Sequence, residues 1–125
     1  MKSVYISNSV EYISWRAFQD CTSLESVTLG NSLSYIYGNA FQGCTALTNV
    51  VIPASVETIG PNAFKNCTLL TSVMFESANK WLISTSSSSN SGGTILSATN
   101  LSDVTQTAKY LTSTYVDKYW HIYTR

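Results

Sequence analysis

Apolar positions return every 23 residues along the first two-thirds of the chain. Ala17-Phe18, Ala40-Phe41 and Ala63-Phe64 stand one period apart. Cys21, Cys44 and Cys67 keep the same spacing, each followed by threonine. So do Leu24, Leu47 and Leu70, then Val27, Val50 and Val73, then Leu29, Ile52 and Phe75. A fixed period of roughly 20–30 residues marks a repeat solenoid, in which each coil buries its apolar face against its neighbours. The register extends back to Val4 and Ile6 and forward to Leu82, and fails at Ser86-Ser87. The chain therefore divides into repeats over 1–83 (a partial coil 1–16, then coils 17–39, 40–62 and 63–83), a Ser/Gly-rich loop at 84–93, and a C-terminal cap at 94–125.

Within a coil, Val27-Thr28-Leu29 alternates inward, outward, inward, which is strand periodicity. Its equivalents are Val4-Tyr5-Ile6, Val50-Val51-Ile52 and Val73-Met74-Phe75. Four parallel strands stacked in register are expected. A second inward column runs through Val10, Leu33 and Val56, then Ile13, Ile36, Ile59 and Leu82. It predicts a short second strand on another face. Pro53, Gly60 and Pro61 mark turns. The Ala-Phe-x-x-Cys segment reads as one tight helical or 3₁₀ turn. Phe18, Phe41 and Phe64 should stack as a core spine.

Past residue 93 the period changes. Ile95-Leu96 predicts one more strand. Asn100 or Ser102 can cap a helix, with Asp103 in its first turn. Leu101, Val104, Ala108, Leu111 and Tyr115 recur at helical spacing. Val116, Tyr119, Trp120 and Tyr123 repeat the spacing and predict a second short helix. The last coil would otherwise leave an apolar face in water, so this segment is read as its cap. Tyr110, Tyr115, Tyr119, Trp120 and Tyr123 are read as core of that cap, with a carbohydrate platform as the alternative.

Composition narrows the function classes. Seven basic and seven acidic residues cancel, and charged residues make up only 11% of the chain. No basic stripe exists, which argues against nucleic acid as a partner. No apolar run approaches the roughly 18 residues of a membrane span, so membrane insertion is not expected. Met1 to Val10 is polar and alternating, unlike a signal peptide.

The candidate chemistry is sparse. A zinc site would want paired Cys or His at short spacing, which is absent from the sequence. Stacked coils put equivalent Cβ atoms roughly 4.8 Å apart. A disulfide wants roughly 3.5–4.5 Å. Buried, reduced thiols are therefore expected, with a disulfide or a reactive thiol as the alternative. His121, the single histidine, has no sequence-local thiol or acid that would form a nucleophile constellation. Gly92-Gly93 lacks the lysine of a phosphate loop. Asn66-Cys67-Thr68 and Asn100-Leu101-Ser102 match the glycosylation sequon, a tripeptide common by chance. No cofactor, metal or catalytic residue is expected, and an enzyme is not the reading.

The pattern Leu24-x-x-Val27-x-Leu29, with Ser32-Leu33-x-x-Ile36 and Ala-Phe-x-x-Cys around it, resembles the BspA-like leucine-rich repeat of 23 residues. Gly60-Pro61-Asn62-Ala63-Phe64 and Ile52-Pro53-x-Ser55-Val56 match it especially well. The resemblance covers about residues 1–83. It implies a right-handed leucine-rich-repeat β-solenoid or horseshoe fragment, with the cysteine column in place of an asparagine ladder. It also implies a surface-exposed or secreted protein, mainly of host-associated bacteria, with adhesion as the associated role. Trp15 and Tyr37 depart from the pattern, standing where glycine or another small residue is usual. That bears on local turn shape.

The outward face of the strands is the place left for a partner. Its binding candidates are Tyr5, Ser26, Thr28, Asn49, Val51, Ser72 and Met74. Four strands at roughly 4.8 Å span about 14 Å between outer axes, giving a patch on the order of 200–300 Å². A stable protein interface needs about 800 Å² per partner. The expected function is a non-enzymatic binding or adhesion module that contacts protein or glycan. The alternative is a structural stalk or capping segment. The strand at Met1, Val4 and Ile6 would be an unpaired edge. It implies either a longer array or end-to-end self-association.

Overall fold

A computed structural model describes residues 2–77, 79–85 and 93–123 of the chain. In chain order its elements are β1 (Ser3–Tyr5), β2 (Tyr12–Ile13), β3 (Ser26–Thr28), β4 (Tyr35–Ile36), β5 (Asn49–Ile52), β6 (Thr58–Ile59), β7 (Ser72–Phe75), β8 (Lys80–Ser84), β9 (Thr94–Leu96), α1 (Val104–Lys109), a π-helical turn (Tyr110–Thr114) and β10 (Tyr119–Tyr123). Strands β1, β3, β5 and β7, one in each coil, form the first column. Strands β2, β4 and β6 form the second column.

The 23-residue register holds in three dimensions. Val4 pairs with Val27, Val50 with Val73, Tyr12 with Tyr35, and Ile36 with Ile59. The inward residues Leu24, Leu47, Val50, Ile52, Ile36 and Ile59 are buried in one continuous core. Phe18, Phe41 and Phe64 stack nearly parallel, with ring centroids 5.3 and 5.4 Å apart. Phe41 and Phe64 are buried, and Phe18 only partly.

The coils are joined through their turns as well as their strands. The backbone N–H of Phe18 donates to Ala40 O (2.7 Å), and that of Phe41 to Ala63 O (2.8 Å). The Ala-Phe-x-x-Cys segments are tight turns closed three residues back, with Cys21 N donating to Phe18 O (3.2 Å) and Cys44 N to Phe41 O (3.2 Å). Each turn lies between residues in the left-handed region: Arg16, Asn39 and Asn62 before it, Asp20, Gly43 and Asn66 after it. Asn, Asp and Gly tolerate that region, and each such residue stops helical propagation.

Four expectations are corrected. The first strand column is two separate two-stranded ladders, β1–β3 and β5–β7, rather than one sheet. Pro53 gives a physical reason. In the next coil Glu76 N donates to Ile52 O (3.0 Å). One coil back the donor would be residue 53 and the acceptor Leu29 O, and proline has no N–H.

Second, residues 119–123 form strand β10, not a helix. Tyr119, His121 and Tyr123 alternate with Trp120 and Ile122, so the segment also fits a period of two. The open edge of β6 selects that option. β10 pairs antiparallel with β6 on one side and β8 on the other, completing a six-stranded sheet in the order β2-β4-β6-β10-β8-β9.

Third, Leu82 does not continue the column Ile13, Ile36, Ile59. Trp120 takes that place opposite Ile59, and Leu82 pairs with His121 one strand further on. Fourth, α1 is capped by Asp103, not by Asn100 or Ser102. Its Oδ1 accepts from Thr105 N (3.0 Å) and Gln106 N (3.1 Å). Asn100 instead accepts from Ser97 N in the preceding turn (2.8 Å). The strand at Ile95-Leu96 is present as β9. Most of the Ser/Gly-rich loop, from 86 to 92, and the sequence end at Met1 lie outside the described residues.

The C-terminal segment covers the third coil by copying the next coil's hydrogen bonds. Arg16 N donates to Gly38 O and Asn39 N to Pro61 O; Asn62 N then donates to Val116 O (2.7 Å). Likewise Ser34 N donates to Glu11 O and Glu57 N to Ser34 O; Ile122 N then donates to Glu57 O (2.9 Å). Trp81 and Trp120 are buried beneath, with Phe75 between them at 5.1 and 5.9 Å.

Candidate binding surfaces

Two surfaces face outward, and the sequence pointed to one of them. On the strand column, Ser26, Thr28, Asn49, Val51 and Met74 are exposed and Ser72 is half-buried. Tyr5 is 66% exposed. Alternation puts these side chains outside because Val27, Val50 and Val73 point in. The ladder break divides them. Tyr5, Ser26 and Thr28 belong to β1–β3, whereas Asn49, Val51, Ser72 and Met74 belong to β5–β7. Along the break runs a cleft of ≈ 290 Å³, bordered by Ser26, Thr28, Leu29, Asn49, Val51 and Glu76. Glu76, two residues beyond Met74 on the outward side, is the carboxylate at its rim.

The second surface is the outer side of the six-stranded sheet. Ile13, Ile36, Ile59 and Trp120 point inward from it. Tyr12, Tyr35, Thr58 and His121 therefore form one outward row, and Ser14, Tyr37, Gly60 and Tyr119 the next. Tyr35 and Tyr37 stack at 4.1 Å, and Tyr12 meets Tyr37 edge-on at 6.3 Å. Tyr119 stacks on His121 at 5.8 Å. His121 is 5% exposed, with Nδ1 3.3 Å from Thr58 Oγ1. Burial, with Tyr119 and Tyr37 beside it, raises the pKa of the Tyr35 hydroxyl above 10.0. At the margin Trp15 donates Nε1–H to Asn39 Oδ1 (3.1 Å) and lies under the Arg16 guanidinium at 4.1 Å.

The aromatic residues of the C-terminal segment are thereby sorted. Trp120 is core, and Tyr110 and Tyr115 pack against that core. Tyr119 joins the outward rows instead.

The cysteine column is a hydrogen-bonded ladder. Cys44 Sγ–H donates to Phe18 O (3.2 Å) and Cys67 Sγ–H to Phe41 O (3.1 Å). All three thiols are free. Burial pushes Cys44 up to about 11 and Cys67 up to about 12. Cys21 is only half-buried, which departs from the expectation of three core thiols. Among the described residues no three His, Cys, Asp or Glu side chains gather to hold a metal ion. No helix among them is long and apolar enough to cross a membrane.

Short parallel strands at a 23-residue period, with a thiol ladder and a phenylalanine spine, define a leucine-rich-repeat protein. The chain belongs to the BspA-type leucine-rich-repeat family, whose model matches residues 1–113 in six copies. The match runs beyond the repeats that are legible by eye. One similar solved structure is a leucine-rich repeat protein from Bacteroides capillosus ATCC 29799. It is 39% identical over 61% of this chain and 54% of its own length, with a TM-score of 0.55. Another is a leucine rich cell surface protein from Faecalibacterium prausnitzii A2-165. It is 35% identical over 70% of this chain and 24% of its own length, with a TM-score of 0.61. The chain thus spans about half of the first and a quarter of the second. No curated protein matches the chain.

Proposed function

We propose that this chain is a non-enzymatic binding module of a bacterial cell-surface or secreted protein. Its coils are read as a segment of a right-handed solenoid, and its strand face as the surface that contacts a protein or glycan in adhesion. The observation that carries the reading is the divided strand face. Exposed Val51 borders the polar-rimmed cleft that the ladder break leaves open, and exposed Tyr5 and Met74 stand one strand away on either side. Large apolar side chains left in water on a rigid ladder favour contact with a partner. The surface location rests on the family and on the Faecalibacterium relative, described as a cell surface protein.

The test is a panel of extracellular-matrix proteins and glycans, titrated against wild type and a Tyr5→Ala/Thr28→Ala/Val51→Ala/Met74→Ala variant. The expected outcome is at least one ligand whose binding weakens about tenfold or more in the variant, as loss of anchor residues does. Equal binding by both proteins removes the strand face from the proposal.

A second reading, a structural stalk or capping segment, is favoured by one observation. Both solved relatives extend well past the matched region, so these coils can serve to carry or end a longer array. It predicts no ligand in the panel.

A further inference from the structure

The outer face of the six-stranded sheet is built of aromatic rings that the core does not need. Ile13, Ile36 and Ile59 already fill the interior of the column. Tyr12 is nevertheless 59% exposed, Trp15 59% and Tyr37 39%. Trp15 and Tyr37 are also the two positions that break the repeat's preference for small residues.

These rings are held by the protein rather than left to swing. Tyr37 is stacked on Tyr35 and touched at its edge by Tyr12. Tyr119 lies flat on His121, which Thr58 meets from the neighbouring strand. Fixed aromatic rings lose little conformational entropy when a ligand covers them.

We propose that this face is a second binding site, distinct from the strand column, and that it takes a neutral oligosaccharide. Three features select that occupant. Size is the first. From β2 to β10 the face crosses four strands, about 14 Å between outer axes, far short of the ~800 Å² that a stable protein partner covers. A second copy of the chain or a folded protein would be held only weakly by so small a face.

Charge is the second feature. The two outward rows carry tyrosine, threonine, serine, glycine and histidine, and no lysine, arginine, aspartate or glutamate. Nothing in these two rows complements an anionic or cationic ligand, and the Arg16 guanidinium at the margin lies over the Trp15 ring at 4.1 Å.

Bond chemistry is the third. A sugar ring presents C–H groups on its faces and hydroxyls around its rim. Tyrosine answers both, with an apolar ring and a hydroxyl that donates and accepts. An extended peptide would instead seek a free strand edge. Of the four strands of this face, β4, β6 and β10 are paired on both sides, and β2 at the end of the sheet alone leaves an edge.

The experiment uses the ¹⁵N-labelled chain and four probes: maltohexaose, cellohexaose, xylohexaose and mannohexaose, each to about 10 mM, a range that reports weak binding. At least one probe is expected to shift the Trp15 indole signal and the amides of Tyr12 and Tyr37. Tyr37→Ala and Tyr12→Ala are each expected to weaken it about tenfold, as loss of a stacking ring does. Unchanged circular dichroism establishes that each variant is folded. Thr28→Ala/Met74→Ala, on the strand face, should leave this binding unaltered, so the two sites fail or succeed separately. The proposal is overturned if no probe shifts these signals, or if binding survives Tyr12→Ala/Tyr37→Ala. It is equally overturned if the signals move only with protein concentration and the same variant abolishes that movement. The face would then be a contact between copies.

Discussion

Phe41 is the residue on which most coil contacts converge. Its ring lies between Phe18 and Phe64, its N–H donates to Ala63 O, and its carbonyl accepts from Cys67 Sγ. Phe41→Ala should lower stability by roughly 3–5 kcal/mol in urea denaturation, the usual loss for a buried aromatic. Phe18→Ala should cost less, because Phe18 is only partly buried. Equal losses would mean that the spine is not graded by burial. The same residue-scale logic explains why the cysteines are not chemical candidates. A thiol whose proton is held by a backbone carbonyl, and whose anion is disfavoured by burial, is a poor nucleophile.

At the scale of elements, capping and edge pairing decide what local pattern leaves open. Asp103 accepts from two backbone N–H groups of the first turn of α1. Asp103→Ala should cost about 1 kcal/mol, and Asp103→Asn much less, measured by thermal melting. If the two variants lose the same amount, the cap contributes through charge rather than through its oxygen. β10 shows the other influence. Its sequence satisfies a helical period and a strand period alike, so local pattern alone cannot choose. The unpaired groups of β6 and β8 on either side favour the strand, since a helix there would leave both edges open.

For the whole molecule, the thiol ladder links stability to pH. In the unfolded chain Cys44 and Cys67 lose their protons near the ordinary 9.0; in the folded chain they hold them to about 11 and about 12. Above pH 9 the unfolded state is the one that has released protons, so rising pH favours unfolding. The urea midpoint should be steady below pH 8.5 and fall from about pH 9 towards pH 11–12. Tyr35 acts in the same direction, so the control is a Cys44→Ala/Cys67→Ala variant, whose fall should be shallower. Identical profiles would exclude the thiols as the cause. With a thiol reagent at neutral pH, half-buried Cys21 should react first, and Cys44 and Cys67 only on unfolding.

Much of this architecture is legible in the sequence because a repeat states its own contacts. Residues 23 apart must stack, so Val4 on Val27, Ile36 on Ile59 and Phe18 on Phe41 to Phe64 follow from spacing alone. So do the inward cysteines and the outward Tyr5, Thr28, Val51 and Met74. The period does not extend to the ends of the array or to its defects. Pro53 reads as a turn signal, and its lost N–H matters only because Leu29 O lies one coil below. Trp120 replaces Leu82 beside Ile59 because an open strand edge accepts whichever segment can pair with it, and that is settled by chain return rather than by local pattern. The aromatic face follows the same rule. Tyr12, Tyr35 and Tyr37 are visible as residues, but Tyr119 and His121 join them from 82 or more positions away along the chain, and only the folded sheet puts their rings on one side.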